Sequence, residues 1–180
     1  MAGLDFGSDA ALLIADMLND FVRPGGALLV PGAEALVPAI RRAVEAAHAG
    51  GSPVIYLCDS HRPDDHEFEA WAPHGVPGTW GAEIVPELAP GPGDLVVRKR
   101  RFSAFFGTEL DMVLRERGVR HMVLAGVLTD ICIYHTAVDA FELQYAVTIL
   151  ENAVAAADRE DHEFALKQAK RLLKARVVRI

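Results

Sequence analysis

The chain has 180 residues, a formal net charge of −7 and a pI near 5.4, with 51% hydrophobic and 24% charged residues. One compact domain over 1–180 with a sizeable core is the expectation at that length, and the acidic balance gives no support to a general nucleic-acid or anionic-membrane binder. Two cysteines make no disulfide framework, no basic-then-apolar leader opens the sequence, and no apolar run approaches a membrane span, so the expected compartment is a reducing cytoplasm, with neither membrane nor nucleic acid as partner.

Strand and helix patterns alternate along the chain. "ALLIAD" (Ala11–Asp16) is a short apolar run suited to a buried parallel strand. "EALVPAIRRAVEAAHAGG" follows, with Val37, Ile40, Val44 and Ala47 on one helical face and Gly50–Gly51 as its stop. Pro38 is tolerable only near the first turns of that helix. Second and third strands are expected at "PVIYLC" (Pro53–Cys58) and "DLVVRK" (Asp94–Lys99). Then come a helix over Glu109–Gly118 with Leu110, Val113 and Leu114 apolar, and a fourth strand over His121–Gly126. The helix after Cys132 carries Ile133, Ala137, Ala140 and Phe141 as its apolar face. A fifth strand at Ala146–Leu150, a helix over about Asp161–Lys174 capped by Asp158, and a sixth strand in "RVVRI" complete the pattern. This alternation predicts a single-domain, three-layer α/β fold with a central parallel six-stranded sheet and helices on both faces.

Ser60–Pro92 is the exception. It is rich in Pro, Gly and His and has little periodicity beyond one helical turn near Ala82–Leu88. A non-periodic segment of that length inside a compact domain is usually functional or mobile.

Parallel sheets bind ligands beyond the carboxyl ends of their strands. Here the first three strands end at Asp16, Asp59 and Lys99, and the fourth leads to Cys132. Each has a bland reading. A strand-end Asp often only caps a turn, "RKRR" (Arg98–Arg101) reads as a solvated charge run, and a lone Cys is usually core filler. Agreement of all four on one edge favours chemistry. A cysteine in a first helical turn faces unpaired amides and the positive end of the dipole, which favour thiolate and can hold an oxyanion. A nearby carboxylate can accept the thiol proton, and a lysine can keep that carboxylate ionised. Cys58, in mid-strand, reads as core.

"IADMLNDF", "KRRFSAFFGT" and "AGVLTDICIYHTAVDAF", in this order and over most of the chain, resemble the isochorismatase-like cysteine hydrolases, nicotinamidases and pyrazinamidases in particular. The resemblance implies Asp16 as proton shuttle, Lys99 as its partner and Cys132 as nucleophile. It also implies a cis peptide between Val127 and Leu128 that turns the Leu128 and Cys132 amides into an oxyanion hole. "CDSHRPDDHEFEAWAPHGVPGT" resembles the nicotinamidase metal motif, so a metal-binding loop is expected at about 59–92. Asp59, His61 and His74 are the implied ligands of one divalent ion, expected to be Zn²⁺, with Fe²⁺ or Mn²⁺ as alternatives. Glu67 is the choice for the fourth ligand, against His66 or water.

By the same resemblance the metal binds the pyridine nitrogen, Phe21 and Trp71 sandwich the ring, and Phe102 and Phe105 are further wall residues. The sequence departs from the pattern at Leu18, where many relatives carry Gln before Asn19, and at Leu128, where a smaller residue is common. The expected activity is hydrolysis of nicotinamide and pyrazinamide through a thioester, placing the chain in nicotinamide salvage. The implied partners are a small-molecule amide and further copies of the chain. Two alternatives stand: a metal-free relative acting on a carbamoyl, ureido or aliphatic amide, and a non-catalytic binding protein on the same scaffold.

Overall fold

The computed structural model describes residues 6–180. Six parallel strands form one sheet: β1 (Ala10–Ala15), β2 (Val54–Asp59), β3 (Leu95–Lys99), β4 (His121–Val127), β5 (Ala146–Ala155) and β6 (Arg176–Val178). Their order is β3-β2-β1-β4-β5-β6. The chain therefore winds outward from β1 on one side and from β4 on the other. The switch point lies between these two central strands, where parallel sheets open a crevice at their carboxyl ends.

The central strands are apolar without interruption because both faces are covered. Ala10, Leu12 and Ile14 of β1 point into one core with Ala39, Ile40, Ala43 and Ala47 of helix α2 (Val37–Gly50), while α1 (Asn19–Val22) packs its Phe21 and Val22 there too. Ala11, Leu13 and Ala15 point the other way, into a core shared with helices α3 (Leu110–Glu116), α4 (Tyr134–Glu142) and α5 (Arg159–Leu172). Helices thus flank both faces, as the alternation predicts. Helix α2 ends where expected, with Gly51 at φ +69 as its left-handed cap. Asp158 caps α5, its carboxylate accepting from the Glu160 and Asp161 amides.

Phe141 departs from the expected pattern. It is 43% exposed, while Ala137 and Ala140 carry the buried face of α4. The segment after β2 holds three short 3-10 turns, His66–Glu69, Trp80–Ala82 and Pro86–Leu88, in place of one helical turn. Among the described residues no helix is long and apolar enough to cross a membrane.

Two backbone features aim the strand ends. Asp16 leaves β1 with φ +51, a left-handed conformation that costs a non-glycine residue of order 1–3 kcal/mol and needs surrounding structure to hold it. Gly126 sits beside it in β4 at φ +107, where an added Cβ would meet the Ala15 carbonyl oxygen at 2.0 Å. No other residue allows β4 to approach β1 so closely.

Candidate active site

The left-handed turn at Asp16 sends its side chain sideways across the end of β2, where Oδ1 accepts the Asp59 amide at 2.8 Å. Asp59 and Lys99 are the paired last residues of β2 and β3. Beyond β4 the Val127–Leu128 peptide is cis, and the chain enters a π-helical turn, Thr129–Ile133, that runs into α4. That turn brings Cys132 back over the sheet edge. Lys99 Nζ then lies 2.9 Å from Asp16 Oδ2, 2.5 Å from Asp59 Oδ1 and 3.3 Å from Cys132 Sγ. All four side chains are buried.

Burial dominates the electrostatics. It pushes the Asp16 carboxyl up to about 6, helped by the Asp59 charge and opposed by Lys99. It also pushes the Cys132 thiol well above its ordinary value, against the pull of Lys99. Burial disfavours the Lys99 ammonium too, but Asp16, Asp59 and Cys132 outweigh it and hold the lysine charged. For Asp59, the same burial is outweighed by Lys99 and by the nearby His61 and His74 imidazoles, so its carboxyl sits well below the usual range. The sequence favours a resting thiolate from the helix terminus alone. In the folded site desolvation wins, so Cys132 rests as a thiol beside a carboxylate able to take its proton.

A second cluster adjoins the first through Asp59. His61 Nε2 is 3.7 Å from Asp59 Oδ1 and 3.9 Å from Glu67 Oε1; His74 Nε2 is 3.6 Å from Asp59 Oδ2 and 3.9 Å from the same Glu67 oxygen. Tetrahedral zinc with bonds of about 2.0–2.1 Å has ligand atoms about 3.4 Å apart, so this set is close to a metal's shell. His61 is fully buried, yet neither ring nitrogen has a hydrogen-bond partner, an arrangement that a bound cation would repair. The donor set of two imidazoles and two carboxylates suits zinc or another borderline divalent ion. Asp16, Asp59 and Cys132 also lie within 4.8 Å of one another, but the Lys99 ammonium already supplies the cation there.

Glu67 converges on this cluster and His66 does not. The His66 side chain is 81% exposed and pairs with Glu69. The surroundings of the cluster are absent from the sequence reading. Asp65 Oδ2 is 3.3 Å from His61 Nδ1, the Ala72 carbonyl is 2.7 Å from His74 Nδ1, and the Phe68 ring packs against both imidazoles. Asp65 is itself clamped by Arg100 and Arg101, so two members of the "RKRR" run brace the cluster instead of forming a free basic face. Asp65 lies one helical turn from His61 in sequence, which is the only cue the sequence offers.

Both clusters open into a cavity of about 460 Å³. Phe21, Trp71 and Phe102 line it as expected, with Asp59, Glu67, His74, Leu128 and Cys132. Phe105 does not. It stacks on Tyr145 at 5.9 Å and packs against the core under α3 and α4, because the turn after Phe102 carries the next aromatic to the opposite side. The Leu28–Val30 wall was not expected. It is held by Asp20, whose buried carboxylate accepts from the Ala27 and Gly75 amides. Leu18, the departure from the pattern, is simply core, and Asn19 fastens the next loop by donating to the Trp80 carbonyl at 2.9 Å.

Comparison with known proteins places the chain in a family. Residues 10–179 match the family model described as the isochorismatase domain. The ureidoacrylate amidohydrolase RutB of Caulobacter segnis is 36% identical, over 79% of this chain and 71% of that protein. Among solved structures, the N-carbamoylsarcosine amidase of Thermoplasma acidophilum is 39% identical with a TM-score of 0.88, covering 95% of this chain and 96% of that one. The nicotinamidase/pyrazinamidase PncA of Bacillus subtilis is 36% identical at TM-score 0.90, covering 94% and 99%. The pyrazinamidase of Pyrococcus horikoshii, solved in complex with zinc, is 30% identical at TM-score 0.91, covering 96% and 99%.

Proposed function

The chain belongs to the isochorismatase domain family, and from that premise we propose that it is a cysteine amidohydrolase that converts nicotinamide, and pyrazinamide, to the corresponding acid and ammonia. The observation that carries this reading is the pairing of two clusters in one aromatic-lined cavity. A thiol with a base and a lysine stands beside Asp59, His61, Glu67 and His74, a set that fits a divalent cation. Those four residues would hold the ion, zinc by their chemistry, where it would supply a Lewis-acid contact for a ring nitrogen and offset the Asp59 charge.

The protein's own residues then do the following. Phe21 and Trp71 hold the flat ring, and the Leu128 wall sets the carboxamide over Cys132. Asp16 takes the thiol proton as sulfur attacks the carbonyl carbon, and the Leu128 and Cys132 amides donate hydrogen bonds to the oxyanion. The carbon–nitrogen bond breaks as Asp16 returns that proton to nitrogen, and ammonia leaves. Asp16 next takes a proton from water, whose oxygen attacks the thioester; the carbon–sulfur bond breaks and the sulfur regains its proton. Lys99 stays charged throughout and keeps Asp16 in place.

The named activities of RutB and of the N-carbamoylsarcosine amidase support a second reading, a ureido or carbamoyl amide as substrate. Ammonia release from a panel of nicotinamide, pyrazinamide, benzamide, ureidoacrylate and N-carbamoylsarcosine separates the two. Chelation should lower kcat/KM for nicotinamide by about 10²-fold, the order lost when a substrate is misplaced by an ångström, while Cys132 is still alkylated by a small electrophile at close to the holo rate. Benzamide, lacking the ring nitrogen, should be a poor substrate insensitive to chelation, and His74→Ala should behave like the metal-free protein. A purified protein that binds no divalent ion and prefers a carbamoyl amide would sink the nicotinamidase reading.

Asp65→Asn tests the brace behind His61. Removing the charge should weaken zinc binding about 10- to 100-fold, the usual effect of losing a partner of a metal-binding imidazole. Competition with a chromogenic chelator measures this without reference to activity. An unchanged zinc affinity would make Asp65 merely the cap of the His66–Glu69 turn.

A further inference from the structure

The charge of the cavity bears on which amides it can take. Besides Asp59, Glu67 and His74 of the metal cluster, the charged side chains lining it are Asp130 and Asp161. No arginine or lysine lines it among the described residues. The nearest buried ammonium, Lys99, is held by Asp16, Asp59 and Cys132. Asp130 Oδ1 is buried without any hydrogen-bond partner. Burial and the nearby Asp161 charge raise the Asp130 carboxyl, while His135 and His162, which also face it, act in the opposite direction.

The cavity also touches the start of α5, where a helix terminus could attract an anion. That site is already taken. The Asp158 carboxylate accepts from the Glu160 and Asp161 amides, and both of these residues add a negative charge to the first turn. A carboxylate entering the cavity therefore meets two acids and no free cation of the chain.

We propose that Asp130 and Asp161 make this cavity select an uncharged amide and expel the carboxylate formed from it. The proposal rests on the amidohydrolase reading above and gives it a direction. Hydrolysis converts a neutral carboxamide into a nearly isosteric anion, so the same walls that admit the substrate repel the product. It also separates this chain's substrate class from ureidoacrylate and N-carbamoylsarcosine, both of which carry a carboxylate before any bond is broken.

The test uses the amide–acid pair, since the two differ chiefly in charge. In the metal-loaded enzyme, competitive inhibition by nicotinate is compared with KM for nicotinamide, at low and high ionic strength, in the native protein and in Asp130→Asn and Asp161→Asn. The native enzyme should bind the acid far more weakly than the amide. Each substitution should tighten nicotinate about three- to tenfold relative to nicotinamide, the order expected for removing one charge from a partly screened site. High salt should narrow the gap in the native protein and less in the variants. Asp161 is exposed, so its variant keeps the test open if Asp130→Asn fails to fold.

A gap that neither substitution changes would overturn the proposal, as would nicotinate binding as tightly as nicotinamide. If nicotinamide is inert but another uncharged amide is cleaved, the nicotinamidase reading falls, and the charge test proceeds with that amide and its own acid. If ureidoacrylate or N-carbamoylsarcosine proves the best substrate, the charge proposal falls while the amidohydrolase reading stands.

Discussion

Cys132→Ala should lower amide hydrolysis by roughly 10⁴-fold or more, the scale on which removing a covalent nucleophile acts, while Cys58→Ala should leave turnover per folded molecule near normal. Both cysteines are buried, so burial does not distinguish them. Position and partners do. Cys132 lines the cavity with its sulfur 3.3 Å from Lys99 Nζ. Cys58 points from β2 into the opposite core, where burial pushes its thiol up to about 12, and losing its sulfur should cost about 1 kcal/mol in stability as a small cavity. Because the Cys132 thiol is itself raised by burial, its reactivity depends on proton transfer to a base and not on a standing thiolate. Steady-state rates, circular dichroism and zinc content of the two variants check this together. A Cys132→Ala protein that folds, binds metal and still turns over at a near-native rate would refute the thiol mechanism.

The sheet was legible in the sequence because its central strands are apolar on both faces and its helices are not. Runs such as "LLIA" and "VLAGV" cannot be half-buried strands, and α2 and α5 carry their caps in plain view as Gly51 and Asp158. Boundaries were less legible where the sequence lacks a punctuating residue. Strand β5 runs on to Ala155, past the expected end at Leu150, because a register shift against β4 between Leu124 and Gly126 lets a second stretch pair beyond it. Phe141 was assigned to the core by helical periodicity, but the small Ala137 and Ala140 make that contact.

In the site, the residues legible from sequence are those whose chemistry is tied to a strand end: Asp16, Asp59, Lys99 and Cys132. Strand order alone brings them to one edge. The loop residues were harder, since His66 and His74 look alike in a list of metal-binding types. Only the fold of the 3-10 turn shows His66 pointing out and Glu67 pointing in. Asp65, Asp20 and Asp130 are unremarkable acids in sequence. Asp65 meets Arg100 across 35 residues and Asp20 meets Gly75 across 55, and such distances leave no local pattern. Phe105 shows the reverse case, an aromatic next to a site motif that the backbone turns into the core.

Asp16→Asn should be nearly as damaging to turnover as loss of Cys132, on the order of 10⁴-fold, because one carboxylate serves both half-reactions. The protein should still fold, since the amide keeps the volume and can still accept from the Asp59 amide. Lys99→Met should also be severe in rate, but with a different signature. It leaves Asp16, Asp59 and the Cys132 thiol buried together without the ammonium that pairs with them, and breaking a buried ionic group in this way costs about 3–5 kcal/mol. The double substitution separates the two effects. It removes one of the uncompensated carboxylates, so it should be more stable than Lys99→Met alone, yet its activity should be no lower than that of either single variant. Denaturant unfolding gives the first comparison and ammonia release the second. Rate losses that multiply would mean that Asp16 and Lys99 act independently. A double variant no more stable than Lys99→Met would mean that the lysine's charge is not what holds the carboxylates in place.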